Sequence, residues 1–324
     1  MASPQSSITY ARARLYLGIS GVGTGVLLSS AALALDWPAQ MAAGGNGLAT
    51  LWIAYVLLSL PFDLLGGYLL PRRFGRPAPE LPAYLAGLVR ALLVHAACLG
   101  LASVAVLAAG REAGLPGVLT AAALGMALLL IGRPVLAVLV GGRRPLTEMA
   151  LLRLRAAASN GSRLRGVLVA FGWNLAGVAV AAETTGADLT REEGILTLAF
   201  GFSLWSFLGL LLLPSVSRPA VLATDIALLS RGVTRTALET AITQGDRELD
   251  DEPVRAKWIE RIFHPIPSVA ARVAALNKPA APRWGADEAA RLALYLSWAS
   301  LGLLSRAVHC NSGKPEYWVY LPRD

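Results

Sequence analysis

The chain has 324 residues, of which 55% are apolar and 15% are charged, and it carries a net charge of +8. Soluble domains contain about 25% charged residues, so this composition excludes an ordinary soluble enzyme and favours an integral membrane protein. The second half of the chain contains no basic stripe interleaved with aromatic residues, so we do not expect a nucleic-acid partner.

Four long apolar stretches in the first 140 residues predict four transmembrane helices. They cover residues 15–35, 49–70, 85–109 and 118–140. Each stretch has about 20 mostly apolar residues, which suffices for a helix to cross about 30 Å of hydrocarbon. The first stretch is too long for the apolar part of a signal peptide, and three more follow it. Residues 1–141 are therefore expected to form a four-helix transmembrane region.

Arginines in alternate loops predict the orientation of these helices. Arg12 and Arg14 precede the first stretch, Arg72 and Arg73 follow the second, and further arginines follow the fourth. Because positive residues mark the cytoplasmic side, both termini are expected in the cytoplasm. The Ala-, Leu-, Arg- and Gly-rich composition favours a multi-pass protein of the bacterial inner membrane. The basic residues also favour contact with anionic lipid headgroups.

Three ionisable residues fall inside the predicted helices: Asp63, Arg90 and Arg133. Each lies roughly 8–10 Å below the cytoplasmic face at about 1.5 Å of rise per residue. Lone charges at that depth are costly, so Asp63 is predicted to pair with Arg90 or Arg133. A structural ion pair is favoured over a proton or ion path, since one acid and two bases make no relay.

Residues 142–276 are predicted to form a cytoplasmic α+β domain. Gly172, Asn174 and Gly177 interrupt two β-prone runs within residues 163–182, which favours a short β-hairpin. A helix is expected from residue 191 to about 213, ended by Pro214. It is interpreted as buried or membrane-apposed, because a fifth crossing would place the charged region after it outside.

Several segments, taken in order, resemble a known family. The stretch 189–205 has an acidic helix start, an apolar run and a terminal Trp205. The other matching elements are Leu60-Pro-Phe-Asp63, Ser217-Arg218 with Asp225, and Phe263-His264-Pro265 with Arg272. Together they resemble the M48 family of membrane zinc peptidases, which includes CAAX prenyl proteases and HtpX-like proteins. The resemblance covers roughly residues 10–276.

The chain departs from this family at the residues that carry its chemistry. Phe200 and Leu204 stand where the H-E-x-x-H motif has its histidines, Gly201 replaces the glutamate, and Val221 replaces the third ligand. Zinc hydrolysis needs those ligands and a carboxylate to deprotonate the bound water. The resemblance therefore implies a catalytically inactive protein without a metal or other cofactor, whose former site is packed with apolar side chains.

Residues 277–324 are predicted to form a linker, an apolar helix and an aromatic tail. The helix is expected from Asp287 to about His309. Trp298, Tyr317, Trp318 and Tyr320 are candidate contacts for a partner. The sequence equally allows the tail to pack on its own domain.

These observations favour an accessory subunit or scaffold of a larger membrane complex, with other membrane subunits and lipids as partners. The pattern does not distinguish a respiratory, photosynthetic, secretory or stress-related complex. Two alternatives stay open. One is a membrane peptidase with a non-standard site, for instance with His264 and Asp225. The other is a lipid-binding or permease-like protein, with the charged cluster of the predicted helices lining a cavity.

Overall fold

The computed structural model describes residues 8–142, 147–249, 252–277 and 284–320. These residues form helices and turns, with no strand among them. Twelve α-helices are described: α1 Tyr10–Ala34, α2 Trp37–Ala42, α3 Gly47–Leu64, α4 Leu70–Arg73, α5 Leu81–Leu139, α6 Glu148–Ser159, α7 Ser162–Thr185, α8 Glu192–Ser230, α9 Arg235–Leu249, α10 Lys257–Phe263, α11 Val269–Ala275 and α12 Ala289–Leu296. A π-helical turn, Leu65–Leu69, joins α3 to α4. Arg143 and Arg144, which belong to the predicted orientation pattern, lie outside the described residues.

Five helices in the described residues are long and apolar enough to cross a membrane, so this is a helical membrane protein. One of the five, α5, is folded into a hairpin. Gly114 has φ 58° and ψ −141°, which interrupts the helix, and a β-carbon at Gly117 would overlap the carbonyl oxygen of Ala109. Gly117 and Ala109 are eight residues apart and could not approach so closely in a straight helix. The two arms of α5, residues 81–113 and 115–139, are each long enough to span.

The predicted count of four spans is wrong, because α7 and α8 are also of membrane length and belong to the same core. Ala170 and Val178 of α7 and Ile195 and Phe202 of α8 are buried in one apolar cluster with the arms of α5. The apolar core therefore continues across residue 141, where the sequence predicted a domain boundary. With the two arms of α5 counted separately, the described residues contain six apolar helical segments of spanning length.

The predicted β-hairpin is wrong as well, since residues 163–182 lie inside α7. Two of the residues that resembled turn signals, Asn174 and Gly177, make packing contacts, whereas Gly172 lies on the exposed surface of the helix. Asn174 donates hydrogen bonds from Nδ2 to the carbonyl oxygens of Ala170 (2.8 Å) and Ala293 (3.2 Å). Gly177 leaves room for the Trp205 ring. Nor does Pro214 end its helix; it lies within α8, which continues to Ser230.

The two ends of the bundle differ in charge. At one end the α3 start meets the α8 start, where the Leu48 amide donates to Glu192 Oε1 (2.7 Å), and Arg111 donates to the Thr190 carbonyl (3.1 Å). The connections at this acidic end, residues 35–46, 110–117 and 183–193, carry six carboxylates and two arginines. The opposite end, where α1 and α7 begin and α8 ends, is the arginine-rich basic end.

Residues 284–320 form a re-entrant segment that enters the bundle from the basic end, turns inside it and returns. Its descending part is α12 followed by a 3-10 turn, Ser297–Ser300. Leu301, with φ 63°, reverses the chain. The returning part passes α1, where Gly25, Gly21 and Gly18 face Leu304, Ala307 and His309. The predicted continuous helix to His309 is therefore wrong, because the chain turns back at Leu301.

A small second cluster caps the basic end. Ala156 of α6, Leu228 of α8, and Leu238 and Ile242 of α9 are buried against one another. This cluster fixes the end of α8 outside the main apolar core.

Candidate functional site

The most distinctive feature of the core is a buried ion pair between Asp63 of α3 and Arg306 of the re-entrant segment. Arg306 Nη2 donates to Asp63 Oδ2, and each side chain is 1% exposed. The prediction that Asp63 is paired was therefore right in kind but wrong in partner, since neither Arg90 nor Arg133 contacts it. Because both side chains are buried, each charge is stabilised by the opposite charge of its partner.

The backbone around Asp63 is shaped to receive the returning chain. Asp63 lies just before the π-helical turn, and π turns inside helices occur frequently at functional sites. Gly313, with φ +66°, donates its amide to Asp63 Oδ1 (3.0 Å). A β-carbon at Gly67 would overlap the Gly313 carbonyl oxygen, so the two backbones touch. Tyr84 of α5 donates its hydroxyl to the Asp63 carbonyl oxygen (2.7 Å).

Arg306 is held by aromatic rings as well as by its ion pair. Its guanidinium carbon lies 5.1 Å from the ring centres of both Tyr55 and Trp318. Contacts of this kind attract a cation to the ring face. Two of its nitrogens, Nε and Nη1, are buried and have no hydrogen-bond partner among the described residues. A guanidinium that keeps unsatisfied donors in an apolar core has capacity for a further acceptor.

A second buried arginine lies close by without an acid. Arg14 of α1 is 1% exposed and donates to the carbonyl oxygens of Gly66 (2.6 Å), His309 and Ser312. No carboxylate is within ion-pair distance of it in the described part of the chain. The cluster of Arg14, Asp63 and Arg306 thus carries a net charge of +1.

Two cavities flank the ion pair. The lateral pocket, of about 120 Å³, lies between α1, α2 and α3, and both Asp63 and Arg306 line it. Its other walls are mostly apolar, including Leu51, Phe200 and Leu303. Leu58 at its rim is 50% exposed on the outer surface of the bundle, so the pocket faces the lipid.

The second cavity, the basic-end vestibule, has a volume of about 550 Å³. Four basic residues and two acidic residues line it: Arg76, Arg90, Arg247 and Lys314, with Glu248 and Glu316. Tyr84, Gly67 and Gly313 form part of its wall. The same three residues contact Asp63 or its turn, so the ion pair separates the vestibule from the lateral pocket.

The other two predicted intramembrane charges have different roles. Arg133 donates from Nη1 to Glu288 Oε2 (3.1 Å) and from Nε and Nη2 to the Val319 carbonyl oxygen (3.2 and 3.0 Å). It therefore fastens both ends of the re-entrant segment to the second arm of α5. Arg90 lines the vestibule.

The positions matched to the zinc site of the M48 family do not converge. Phe200, Gly201, Leu204 and Val221 all lie on the single helix α8. Phe200 and Val221 are 21 residues apart, which corresponds to about 31 Å along a helix axis. Zinc ligands lie about 2 Å from one ion, so these positions do not outline one former metal site.

Three of these positions, Phe200, Gly201 and Val221, lie at different places in the packing. Phe200 lines the lateral pocket, and Val221 lines a small cavity near the basic end. Gly201 allows α8 to approach Ala181 and Thr185 of α7. Within the described residues, no group of three His, Cys, Asp or Glu side chains is placed to hold a metal ion.

The residues that match the rest of the family motif lie together near the basic end. Asp225 receives two hydrogen bonds from Arg272, Nε to Oδ2 (2.7 Å) and Nη2 to Oδ1 (2.8 Å), and one from Arg153 Nη2 (2.7 Å). Burial and the neighbouring Arg272 lower the pKa of Arg153 to about 10. Arg218 pairs with Glu260 (2.7 Å). These ion pairs join α8 to α6, α10 and α11.

The remaining matched residues are also engaged within the chain. Ser217 Oγ accepts the Ala290 amide (3.1 Å) at the start of α12. The His264 ring lies 5.1 Å from the His309 ring, centre to centre. Pro265 lines a groove between α1 and α8. Ser217 and Pro265 thus lie beside the re-entrant segment rather than around a reaction centre.

The aromatic residues expected to contact a partner are buried in their own bundle. Trp298, Tyr317 and Trp318 are at most 5% exposed. The Trp298 ring lies 4.4 Å from the His95 ring, and Trp318 Nε1 donates to the Asn311 carbonyl (2.9 Å). Tyr320 packs on the Arg133 guanidinium at 4.1 Å. The candidate partner contacts are thus corrected to internal contacts, which the sequence had left as the equal alternative.

The fold and this core define the protein as a multi-pass helical membrane protein with a buried ion pair beside a lipid-facing pocket. Comparisons with protein-family models, curated proteins and solved structures found no match for the chain.

Proposed function

We propose that this protein binds a membrane-dissolved monocarboxylic acid in the lateral pocket, with the carboxylate on Arg306. The observation that carries the proposal is the Arg306 guanidinium, which lines the pocket and keeps two buried donors without a partner. While Nη2 holds Asp63, Nη1 is free to donate to a second acceptor. A hydrogen bond from a charged donor is stronger than a neutral one, so an anionic acceptor fits best.

The charge of the cluster supports an anion over a cation. Arg14 and Arg306 outnumber Asp63 by one, and the acceptors of Arg14 are neutral carbonyl groups. A carboxylate on Arg306 would bring the buried cluster to neutrality. Burying two opposite charges together costs less than burying one alone.

The pocket supports a lipophilic ligand that arrives from the bilayer. Its volume of about 120 Å³ is similar to that of an apolar cavity of ~150 Å³ that takes up benzene. A carboxylic acid crosses hydrocarbon in its neutral form, because an ionised carboxylate is far more costly to desolvate. On binding, the acid would lose its proton to water, and its carboxylate would share the Arg306 guanidinium with the carboxylate of Asp63.

Binding of a fluorescent polyene fatty acid to the purified protein in lipid nanodiscs tests this proposal. We expect saturable energy transfer from tryptophan, because Trp37 lines the pocket and Trp318 flanks Arg306. Ala54→Leu narrows the pocket and should weaken binding at least tenfold. The matched control is Ala105→Leu, on an exposed face of α5.

The methyl ester of the same fatty acid distinguishes recognition of the carboxylate from non-specific partition into an apolar pocket. We expect it not to compete, since it carries no anionic oxygen for Arg306. Equal competition by the ester, or equal binding by the Ala54→Leu variant, would contradict the proposal.

A second candidate is a non-catalytic, M48-like accessory subunit of a larger membrane complex. It is supported by three charged residues of the family motif, Arg218, Asp225 and Arg272, which form ion pairs that join helices. Mild detergent extraction from native membranes tests it. A stoichiometric membrane-protein partner is expected, and a monomer that retains no partner would contradict it.

A further inference from the structure

A groove on the other face of α1, between α1 and α8, is separate from the lateral pocket. Its volume is about 320 Å³, and its walls are almost wholly apolar, with Leu15, Ile19 and Val22 on one side and Phe207, Leu210 and Leu211 on the other. Phe263 and Pro265 close it toward the basic end. It opens among lipid-facing helix surfaces, so an acyl chain is the occupant that matches its walls.

One charged residue lies at the inner wall of this groove. Arg291 of α12 is 8% exposed, and its Nη groups donate to Asn311 Oδ1 (2.9 Å), Cys310 Sγ (3.1 Å) and the Tyr317 carbonyl (2.8 Å). Its Nε is buried without a hydrogen-bond partner. None of its hydrogen-bond partners among the described residues is a carboxylate, so it forms no ion pair with them.

A buried guanidinium without an ion pair among the described residues, beside an apolar groove, calls for a ligand with one anionic group and a long hydrocarbon chain. A buried charge without a counter-ion is strongly unfavourable in a medium of low polarity. The groove lies toward the basic end, which is the side where anionic lipids and basic residues meet. A phosphate pairs well with a guanidinium, and the chain of the same molecule would fill the groove.

We infer that this groove binds one anionic phospholipid from the leaflet at the basic end, with its phosphate on Arg291 and one acyl chain between α1 and α8. The inference is independent of the proposed carboxylic-acid site, which lies on the other side of α1. The bound lipid would hold α1 against α8 and neutralise the charge of Arg291 in the descending part of the re-entrant segment.

Native mass spectrometry of the protein released from nanodiscs of phosphatidylglycerol and phosphatidylcholine tests this inference. One retained phosphatidylglycerol per chain is expected. Gly23→Leu should reduce its occupancy at least tenfold, because Gly23 lines the groove and a β-carbon there meets open space. Gly132→Leu, which adds the same side chain to another open helix surface, should leave the occupancy unchanged.

Arg291→Gln tests the charge and is expected to abolish the preference for phosphatidylglycerol over phosphatidylcholine. If that variant does not fold, the occupancy of phosphatidylglycerol in Gly23→Leu and in Gly132→Leu still tests whether the lipid binds in this groove. Equal retention of phosphatidylcholine, full occupancy in Gly23→Leu, or displacement of the phospholipid by a free fatty acid or inorganic phosphate at equal concentration would overturn the inference.

Discussion

At the scale of single residues, the Asp63–Arg306 pair makes a prediction about coupling. Asp63→Ala leaves Arg306 buried without its counter-ion, and breaking a buried pair typically costs about 3–5 kcal/mol. Arg306→Ala should be similarly destabilising. The double variant should lose clearly less than the sum of the two, because neither charge is then stranded. Unfolding in mixed micelles of increasing SDS content measures all four proteins. Additive losses would show that the two side chains do not depend on each other.

The sequence identified one member of this pair and missed the other. Asp63 stands out because an acid in an apolar helix is unusual. Arg306 is also a lone charge in an apolar stretch, but the sequence predicts it near the end of a continuous helix that reaches about His309. The two residues are 243 positions apart, so no local spacing joins them. Arg14 was likewise taken as a loop charge, although it is fully buried beneath the re-entrant segment.

At the scale of elements, membrane helices were predictable from length and apolar content, whereas glycines and polar residues inside them were misleading. Gly172, Asn174 and Gly177 resembled breaks, yet all three lie inside α7, where Asn174 and Gly177 contact neighbouring helices. Small residues at such contacts let backbones approach closely, which is common in membranes. Gly18, Gly21 and Gly25 of α1 allow a similarly close approach, but of the returning part of the re-entrant segment rather than of a neighbouring helix.

The re-entrant segment makes a prediction that a cross-link can test. A β-carbon at Gly125 would lie 3.0 Å from the β-carbon of Ala299, at the depth where the segment turns. Since disulfides join β-carbons about 3.5–4.5 Å apart, the pair Gly125→Cys and Ala299→Cys should oxidise after a small adjustment. Cys98 and Cys310 are first replaced by Ala. The control pair, Gly132→Cys with Ala299→Cys, should stay reduced, since a β-carbon at Gly132 meets open space.

Cleavage at a protease site inserted at residue 280 gives the readout for both pairs. A disulfide keeps the C-terminal fragment attached on a non-reducing gel. Its release from the Gly125 pair, or its equal retention in the control, would show that residues 284–320 do not enter the bundle.

At the scale of the whole molecule, both four and six crossings return the chain to its starting side. The arginine pattern therefore led to the same placement of both termini despite the wrong count. The interpretation of residues 162–230 changes, from part of a cytoplasmic domain to two helices that are long and apolar enough to cross a membrane. Apolar content alone does not separate a buried helix from a spanning one. The predicted β-hairpin within residues 163–182 also left no helix of spanning length there.

The decisive difference between the two arrangements is the position of the α7–α8 connection. With six crossings Glu183, at the exposed end of α7, shares the acidic end with Gln40; with four it would share the cytoplasmic side with Thr240 of α9. Single cysteines at these three positions, in a chain without Cys98 and Cys310, are labelled in intact cells with a membrane-impermeant maleimide. We expect Glu183→Cys and Gln40→Cys to react and Thr240→Cys to react only after lysis, because the positive-inside rule predicts that the arginine-rich end faces the cytoplasm. Protection of Glu183→Cys together with labelling of Gln40→Cys would restore the four-crossing arrangement, and labelling of Thr240→Cys alone would invert the protein in its membrane.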